Sequence, residues 1–224
     1  MFEQNKIVNT KEYILEVSYE LFSTRGYDKT PISLILEKTG LSKGGFYHHF
    51  KSKEEIIDHI AKTQVDVVVS ILDQIANQSE LSAIEKFNQL MEKVQLYRTQ
   101  NKEQLFKLYE RYLKPENLYL KEKIDAYTIE KAISPYSRIV RQGIEENVFH
   151  TSAPELAIET IIRIAPVLRM KMVRLYLQKE DNNNYREEIE MVADYLEEFI
   201  LKILGAKQGS LIISAHVKSY FLNI

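Results

Sequence analysis

Hydrophobic residues recur every three or four positions along most of this chain, which is the spacing of amphipathic α-helices. Only seven glycines and five prolines interrupt the 224 residues, so these residues can mark helix ends. The pattern predicts helices over residues 10–25, 31–39, 42–49, 53–77, 81–99, 103–113, 116–133, 135–147, 154–178 and 185–204. No segment has the signature of a β-hairpin, and an all-α chain is therefore expected.

The first two predicted helices are separated by clear stop and start signals. Asn9 and Glu12 form a candidate capping box for the first helix, and Gly26 can take the left-handed conformation that ends it. Thr30 is placed to cap the second helix, with Pro31 in the first helical position. These signals predict a long helix that is followed closely by a short one.

A four-residue turn joins the second predicted helix to the third. Gly40 closes the second helix, Leu41 is apolar enough to turn inward, and Ser42 can cap the third. Ser52 with Glu55 forms another candidate capping box, which opens a long fourth helix. Two short helices joined by a tight turn with glycine form a helix-turn-helix, whose second member lies in the major groove of DNA.

The segment LFSTRGYDKTPISLILEKTGLSKGGFYHHFKSKEEI resembles the DNA-binding domain of the tetracycline-repressor (TetR) family of bacterial transcription regulators. The residues that carry the resemblance, which covers roughly residues 10–60, are Gly26, Tyr27, Thr30, Gly40, Leu41, Ser42, Tyr47, Phe50 and Lys53. The chain departs from the family pattern at Leu34, Leu36 and Thr39, where the family more often has an acidic residue and two alanines. These departures concern the packing of the second helix.

The resemblance places the candidate DNA contacts on the third helix and beside it. Tyr47 and His48 match family positions that hydrogen-bond backbone phosphates, and Lys43 projects toward base edges or phosphate. Gly44 and Gly45 would let the helix backbone approach the groove, at a cost of about 1 kcal/mol each relative to alanine. The predicted DNA-binding residues are Lys29, Thr30, Pro31, Ser42, Lys43, Gly44, Gly45, Tyr47, His48 and Lys53.

Positive charge is concentrated in the same region. The whole chain has 30 basic and 32 acidic residues and a formal net charge of −2. Between Arg25 and Lys53, six basic residues stand against two acidic ones, which gives a local charge of +4. Lys53 also lies at the start of the fourth helix, where the helix dipole attracts phosphate. Phe46 and Phe50 are expected to face inward and hold the third helix on the first two.

Residues 40–56, which contain these glycines and histidines, could also be read as a metal site or a nucleotide-binding loop. Both interpretations are weaker. His48 and His49 point about 100° apart on a helix, so they serve a single metal ion poorly. His49 is expected to be a packing or surface residue. Gly44 and Gly45 follow no strand and match neither glycine fingerprint of a nucleotide site. Because the chain has no cysteine, a thiolate zinc site and a disulfide are excluded, and we predict neither a metal nor a cofactor.

The resemblance implies an all-α chain in which the helix-turn-helix domain is followed by a larger ligand-binding and dimerisation domain of about nine helices. We assign residues 1–52 to a three-helix DNA-binding domain and residues 53–205 to effector binding and dimerisation. The helix from 53 to about 77 connects the two. The tail, 206–224, is rich in β-branched and aromatic residues. It would suit a packed segment, a partner-binding strand or an appendage of poor order.

The helices predicted at 154–178 and 185–204 are candidates for a homodimer interface. The later one has apolar residues at alternating spacings of 3 and 4, a seam that suits a partner helix. The earlier one is apolar over more of its circumference than one intrachain face requires. Ordinary burial within the chain is the alternative. The predicted interface residues are Val167, Leu168, Ile189, Val192, Leu196, Phe199 and Ile203.

Aromatic residues cluster between 97 and 136, where they could line a cavity for a flat or amphiphilic molecule. The alternative is a helical core with amphipathic residues at its edge. The predicted effector-binding residues are Tyr97, Phe106, Tyr109, Tyr112, Tyr127 and Met170. Arg163 and Arg169 interrupt an apolar helix where they would suit an acidic ligand, although Glu159 lies one turn before Arg163 as an ion partner.

These features favour a regulator over other classes of protein. No nucleophile, acid-base pair or metal-ligand spacing rises above background, so an enzyme is not expected. The first ten residues, MFEQNKIVNT, lack the apolar core of a signal peptide. The most apolar segments are too interrupted to span a membrane, so we expect no membrane association and a cytoplasmic location.

We therefore expect a repressor that binds double-stranded DNA at a palindromic operator as a homodimer and is released by an unknown small-molecule effector. Two half-sites would then lie about 34 to 36 Å apart or at a multiple of that distance. One alternative is a DNA-binding scaffold that recruits a protein partner without an effector. Another is an enzyme or ligand-storage helical protein with a vestigial N-terminal module.

Overall fold

The structure, a computed structural model, describes residues 9–223, and most of these residues lie in helices. Its α-helices are α1 (Thr10–Arg25), α2 (Ile32–Thr39), α3 (Lys43–His49), α4 (Lys53–Ala76), α5 (Ala83–Gln100), α6 (Lys102–Tyr112), α7 (Leu118–Glu145), α8 (Pro154–Leu177), α9 (Tyr185–Leu204) and α10 (Ser214–Leu222). A 3-10 helix, Pro115–Asn117, precedes α7, and residues 9–223 form no β-strand. The all-α prediction is confirmed. Residues 1–8, which bear on the signal-peptide expectation, lie outside the described residues.

The helices group into two compact units. The first contains the chain up to Val65 together with Glu110–Tyr127, and the second contains Asp66–Tyr109 and the chain from Thr128 onward. Helices α4, α6 and α7 each have residues in both units. The predicted functional division after residue 52 stays a prediction. None of the helices within residues 9–223 is both long and apolar enough to cross a membrane.

The first unit has a core built by α1, α2, α3 and the start of α4. Phe22 of α1, Ile35 of α2 and Phe46 of α3 are completely buried, as is Phe50 directly after α3. The inward orientation predicted for Phe46 and Phe50 is confirmed. Gly26 ends α1 with a φ of 90° and donates its backbone N–H to the Phe22 carbonyl. Only glycine adopts such a φ without strain, so the turn between α1 and α2 depends on it.

The helix caps agree in part with the sequence pattern. The Ser42 hydroxyl accepts a hydrogen bond from the Gly45 backbone N–H at 3.1 Å, so the predicted cap of α3 is confirmed. The Asn9 side chain caps α1 by accepting from the Lys11 N–H at 3.1 Å. Glu12 makes no return bond, and the predicted capping box is reduced to a single cap.

The second unit has a separate core, to which the C-terminal tail contributes. Leu211, Ile213, Tyr220 and Phe221 are buried, and α10 packs against α5 and α9. Glu197 of α9 accepts hydrogen bonds from the backbone N–H groups of Ile213 and Ser214, both at 2.9 Å. These bonds satisfy amides that the start of a helix leaves open. Of the three alternatives for the tail, the packed segment is confirmed over the range up to Asn223.

The two helices predicted at 116–133 and 135–147 are a single helix, α7, so the predicted break was wrong. Pro135 lies inside it. Proline removes one N–H and disturbs the turn before it, but a helix continues when packing holds both sides. Ala132 and Ile139, on either side of Pro135, are buried in the core of the second unit.

Glu54, near the start of α4, gathers three donors within the first unit. The Tyr27 hydroxyl donates to one carboxylate oxygen at 2.9 Å and the Tyr119 hydroxyl to the other at 2.5 Å. Lys123 of α7 forms an ion pair with the same carboxylate. Lys123 and the two hydroxyls together lower the pKa of Glu54 from 4.5 to about 2. The carboxylate thus ties the loop after α1 and the start of α7 to α4.

We expect the variant Glu54→Gln to lose part of the acid sensitivity of folding. Because the pKa of Glu54 is depressed in the folded chain, its stabilisation is complete above about pH 4.5 and is lost as the pH falls toward 2. The side chain is partly exposed and screened, so we expect a difference of only about 1 kcal/mol at neutral pH. Urea unfolding between about pH 7 and pH 3 measures it. The exposed Glu12→Gln is the matched control, and parallel pH curves for wild type and Glu54→Gln would contradict the assignment.

Candidate nucleic-acid interface

Helix α3 divides cleanly into a buried side and an exposed side. Its exposed residues, Lys43, Gly44, Tyr47 and His48, occupy an arc of about 140° at about 100° per residue. Phe46 lies on the opposite side in the core. Tyr47 is 50% exposed. Within residues 9–223, neither the Tyr47 hydroxyl nor the Lys43 ammonium has a hydrogen-bond partner, so both are available to an external phosphate or base edge.

Nothing within residues 9–223 requires glycine at positions 44 and 45. A methyl group on Gly44 would meet only the Ser42 Oγ, at 3.9 Å, and one on Gly45 would meet the same atom at 3.4 Å and the Leu41 Cδ2 at 4.0 Å. Neither glycine has a positive φ. Since glycine lowers helix stability relative to alanine, the fold does not favour it here. Close approach by another molecule is the physical reason that fits.

We expect the variant Gly44→Ala to be more stable than the wild type and yet to bind DNA less well. Alanine should raise the free energy of unfolding by about 0.5 to 1 kcal/mol. The added methyl group on the exposed arc should weaken DNA binding by about tenfold, a loss of about 1.4 kcal/mol. Urea unfolding and fluorescence anisotropy with labelled duplex measure the two effects.

Gly40→Ala is the control for this variant. Gly40 has a φ of 70° with open space around it, so alanine there is strained without meeting any neighbour within 4 Å. It should lower the free energy of unfolding by about 1 kcal/mol. If Gly44→Ala left DNA affinity unchanged, the glycine would have no role at the interface.

The predicted contacts before and after α3 differ in their availability. Lys29 and Pro31 are exposed beside the start of α2, whereas Thr30 is completely buried. The Thr30 hydroxyl donates to the Gly26 carbonyl at 2.8 Å, and Pro31 is the N-cap of α2 with no side-chain cap bond. Thr30 therefore holds the connection between α1 and α2 in place, and its hydroxyl cannot touch DNA. This corrects both the predicted cap and the predicted contact.

Lys53 is engaged within its own unit. Its ammonium donates to the Tyr27 carbonyl at 2.7 Å and lies 4.0 Å from the centre of the Tyr27 ring. A cation over an aromatic face is attracted to the ring. Its predicted phosphate contact stays a prediction, and it would have to replace or share the bond to Tyr27.

The side chains of His48 and His49 point in different directions. The rings of His48 and His49 lie 5.1 Å apart at an angle of 79°. His48 is exposed on the α3 arc, while His49 is half-buried. Among residues 9–223, no group of three or more side chains of the metal-binding types comes together.

The predicted dimer residues lie mostly inside their own chain. Ile189, Val192 and Leu196 of α9 are buried in the described structure. Phe199, Ile203 and Leu168 pack partly buried against the same core. A side chain that is already buried offers no surface to a partner, so the seam of α9 serves intrachain packing. Val167, at 61% exposure, is the one member of the predicted set that is largely exposed.

The predicted effector residues fall in different places. Phe106 and Tyr109 of α6 lie in the second unit, together with Tyr97 and Met170, which are half-buried. Tyr112 and Tyr127 belong to the first unit. Sequence proximity brought these tyrosines into one group, but the unit boundary passes through α6 and α7.

The second unit also brings together residues that the sequence pattern left out of the predicted site. Phe106 lies 4.7 Å from the Tyr176 ring and stacks on Tyr220 at 5.9 Å between ring centres. Phe221 contacts the same ring of Phe106. Tyr220 and Phe221 come from the tail, whose short apolar run gave no signal of where it would pack.

The helix-turn-helix segment matches a known family. Residues 14–60 match the sequence model of bacterial regulatory proteins of the tetR family. YerO of Bacillus subtilis, an uncharacterised HTH-type transcriptional regulator, is 47% identical over 47 residues, which are 21% of this chain and 16% of YerO. KstR2 of Mycolicibacterium smegmatis, an HTH-type transcriptional repressor, is 29% identical over 80 residues, which are 36% of this chain and 38% of KstR2. The chain thus matches less than half the length of these two relatives.

The fold beyond this segment is similar to solved structures. A complex of SmeT with triclosan has a TM-score of 0.62 to this chain, covering 91% of it and 95% of SmeT at 17% identity. SmeT is the repressor of the Stenotrophomonas maltophilia multidrug efflux pump SmeDEF. At this identity the similarity concerns the fold alone. The match of residues 14–60, which contain the helix-turn-helix formed by α2 and α3, shows that this segment is a DNA-binding domain of the type found in bacterial regulatory proteins of the tetR family.

Proposed function

We propose that this protein is a transcription repressor that binds a palindromic operator as a homodimer in the bacterial cytoplasm and is released by a small molecule. The observation that carries the proposal is the exposed arc of α3, where Lys43 and Tyr47 have no hydrogen-bond partner within residues 9–223. Repression is favoured over activation because relatives of the helix-turn-helix segment, such as KstR2, are repressors.

Each α3 would enter the major groove with this arc toward the bases. Lys43, in the first turn, reaches base edges or phosphate, and Tyr47 and His48 donate to phosphates. Lys29 and Pro31, which are exposed at the start of α2, would lie against the DNA backbone. The glycines of α3 allow the helix backbone to come close to the groove.

The dimer would form through the exposed apolar faces of α8 and α9, which pack against each other within the chain. Single exposed apolar residues are ordinary, but several on two neighbouring helices indicate an interface. A twofold axis would place the same patch on both subunits. The residues proposed for this α8–α9 face are Leu156, Ile164, Val167, Met191 and Tyr195, whose exposures run from 39% to 63%.

The effector would bind in the second unit and change the arrangement of the two reading helices. Helices α4, α6 and α7 continue from one unit into the other, so a ligand that favours one position of these helices can change DNA affinity. A coupling of about 1 to 3 kcal/mol is enough for an effect of roughly 5- to 150-fold. SmeT, which shares the fold, has been solved with a small molecule.

Selection from a randomised duplex library tests the DNA-binding part of the proposal. The purified full chain should enrich a twofold-symmetric sequence whose half-sites are about 34 to 36 Å apart or a multiple of that distance. Affinity for the enriched duplex should fall steeply with salt. The absence of any enrichment at low salt would contradict a DNA-binding role, and an asymmetric single site would contradict the dimer.

A further inference from the structure

The second unit brings together a group of basic and phenolic side chains from five helices, of which two are buried and three half-buried. They are Arg98 of α5, Tyr109 of α6, Tyr136 of α7, Arg169 of α8 and Tyr220 of α10. Each of the other four interacts electrostatically with Arg98. Arg169 also interacts with both Tyr136 and Tyr220. We call this group the Arg98–Arg169 cluster.

The two arginines have no counter-charge. Among residues 9–223, the guanidinium groups of Arg98 and Arg169 form no ion pair, no hydrogen bond and no stacking contact with an aromatic ring. Each guanidinium carries five N–H donors and no acceptor. Burial and the like charge of Arg169 lower the pKa of Arg98 to about 10, so it still carries its charge at neutral pH. Both arginines are half-buried, and a partly desolvated charge without a partner is destabilising, which makes the pair costly for the free protein.

The Tyr220 hydroxyl also lacks a hydrogen-bond partner. It is 4% exposed, and its hydroxyl is buried without a hydrogen-bond partner in the described structure. Burial raises the pKa of Tyr220, so the hydroxyl keeps its proton and remains a donor. The guanidinium groups can only donate and the Tyr220 hydroxyl can donate as well, so a single group with several acceptor atoms could satisfy all three.

The side chains around the cluster add both charge and apolar surface. Lys102 donates to the Tyr220 backbone carbonyl at 2.7 Å, and Lys179 lies 4.8 Å from the centre of the Tyr176 ring. Phe106 and Phe221 contact the rings of Tyr176 and Tyr220 from the same region. A ligand at this place would meet positive charge at one end and aromatic rings beside it.

A separate open groove along α9 has the opposite character. It is lined by Asp194, Glu197 and Glu198 together with Lys202. Three carboxylates repel an anion, and Glu197 already accepts from the start of α10. An anionic ligand would therefore prefer the Arg98–Arg169 cluster to this groove.

We propose that the Arg98–Arg169 cluster binds the carboxylate of an amphiphilic organic acid, whose apolar part lies against Phe106, Tyr176 and Phe221. The carboxylate supplies the acceptors that the two guanidinium groups and the Tyr220 hydroxyl lack, through charge-assisted hydrogen bonds. This inference rests on the proposed function in one respect, because it takes the bound acid to be the effector that releases the repressor from DNA.

Calorimetric titration of the full chain without DNA tests the inference. The probes are 2-naphthoate and octanoate, each compared with its primary amide, which has the same shape without the charge. At least one acid should bind about tenfold or more tightly than its amide. Arg98→Gln and Arg169→Gln should each remove this preference for the acid. Arg163→Gln, which breaks the exposed pair with Glu159, is the matched control and should leave it unchanged.

Three results of this titration would overturn the inference. They are binding of neither acid, equal binding of acid and amide, and unchanged acid affinity in both Arg98→Gln and Arg169→Gln. Because the titration contains no DNA, these results leave the DNA-binding proposal standing. Conversely, if the duplex selection failed but the acid still bound more tightly than its amide, acid binding would stand and the DNA-binding proposal would not.

Thermal unfolding without ligand gives a second measurement. Since Arg98 has no partner, Arg98→Met should unfold at the same temperature as the wild type or a higher one. A lower unfolding temperature would mean that the arginine is already satisfied inside the protein, and the inference would fail. The same experiment with added acid should stabilise the wild type and leave Arg98→Met unaffected.

Discussion

Val167→Glu should produce a folded monomer that binds the selected operator at least about 100-fold more weakly than the wild type. Val167 is 61% exposed on α8, so the substitution leaves the intrachain core untouched. In a twofold dimer, the two glutamates would be buried at the interface on both subunits, where unpaired charges are costly. A monomer reads only one half-site, which explains the loss of affinity.

Sedimentation velocity and anisotropy with the selected duplex measure the two effects together. Ile212→Glu is the matched control, because Ile212 is a 48% exposed apolar residue outside the α8–α9 face. It should remain dimeric and bind DNA normally. If Val167→Glu sedimented as a dimer, the interface would have to lie elsewhere, and the exposed face would need another explanation.

Lys43→Ala combined with Tyr47→Phe should weaken operator binding by about 100-fold or more without unfolding the protein. Both side chains lie on the exposed arc of α3 and lack hydrogen-bond partners within residues 9–223, so little folding free energy depends on them. A hydrogen bond to a charged group such as a phosphate contributes about 1.5 to 3 kcal/mol. Because a dimer loses each of these bonds twice, the combined loss of affinity should be large.

The single variants should separate two kinds of contact. Tyr47→Phe removes a neutral donor, so it should lower affinity for all sequences and leave the slope of affinity against salt unchanged. Lys43→Ala removes a cation from each subunit, so it should flatten that slope by about 2 and alter the preference between sequences. Lys207→Ala, an exposed lysine of the tail, controls for the change in net charge. If the double variant bound the operator as tightly as the wild type, α3 would not be part of the DNA interface.

The local part of the structure followed from short-range signals in the chain. Gly26 and Gly40 mark helix ends because their backbones adopt a positive φ. Ser42 marks the start of α3 because its hydroxyl meets an N–H three residues later. These effects act within a few residues, so the helix-turn-helix, the inward phenylalanines and the exposed arc of α3 could be predicted. Thr30 is the exception, since its hydroxyl bonds back to the end of α1.

The remaining predictions depended on which helix packs against which. An apolar seam such as that of α9 has the same spacing whether it meets a helix of its own chain or one of a partner, and only the packed structure shows that Ile189 is buried within the chain. Pro135 was taken as a helix end, although packing on both sides carries α7 through it.

The sequence by itself determined the helical class, the turn between α2 and α3 and the buried and exposed sides of α3, because helix periodicity and capping act between near neighbours. Only the tertiary structure decided that α10 packs against α5 and α9, and that Arg98, Arg169 and Tyr220 come close enough to interact electrostatically. Those residues are more than a hundred positions apart at their extremes. Their proximity results from the burial of helix faces, which have no preferred partner in the sequence.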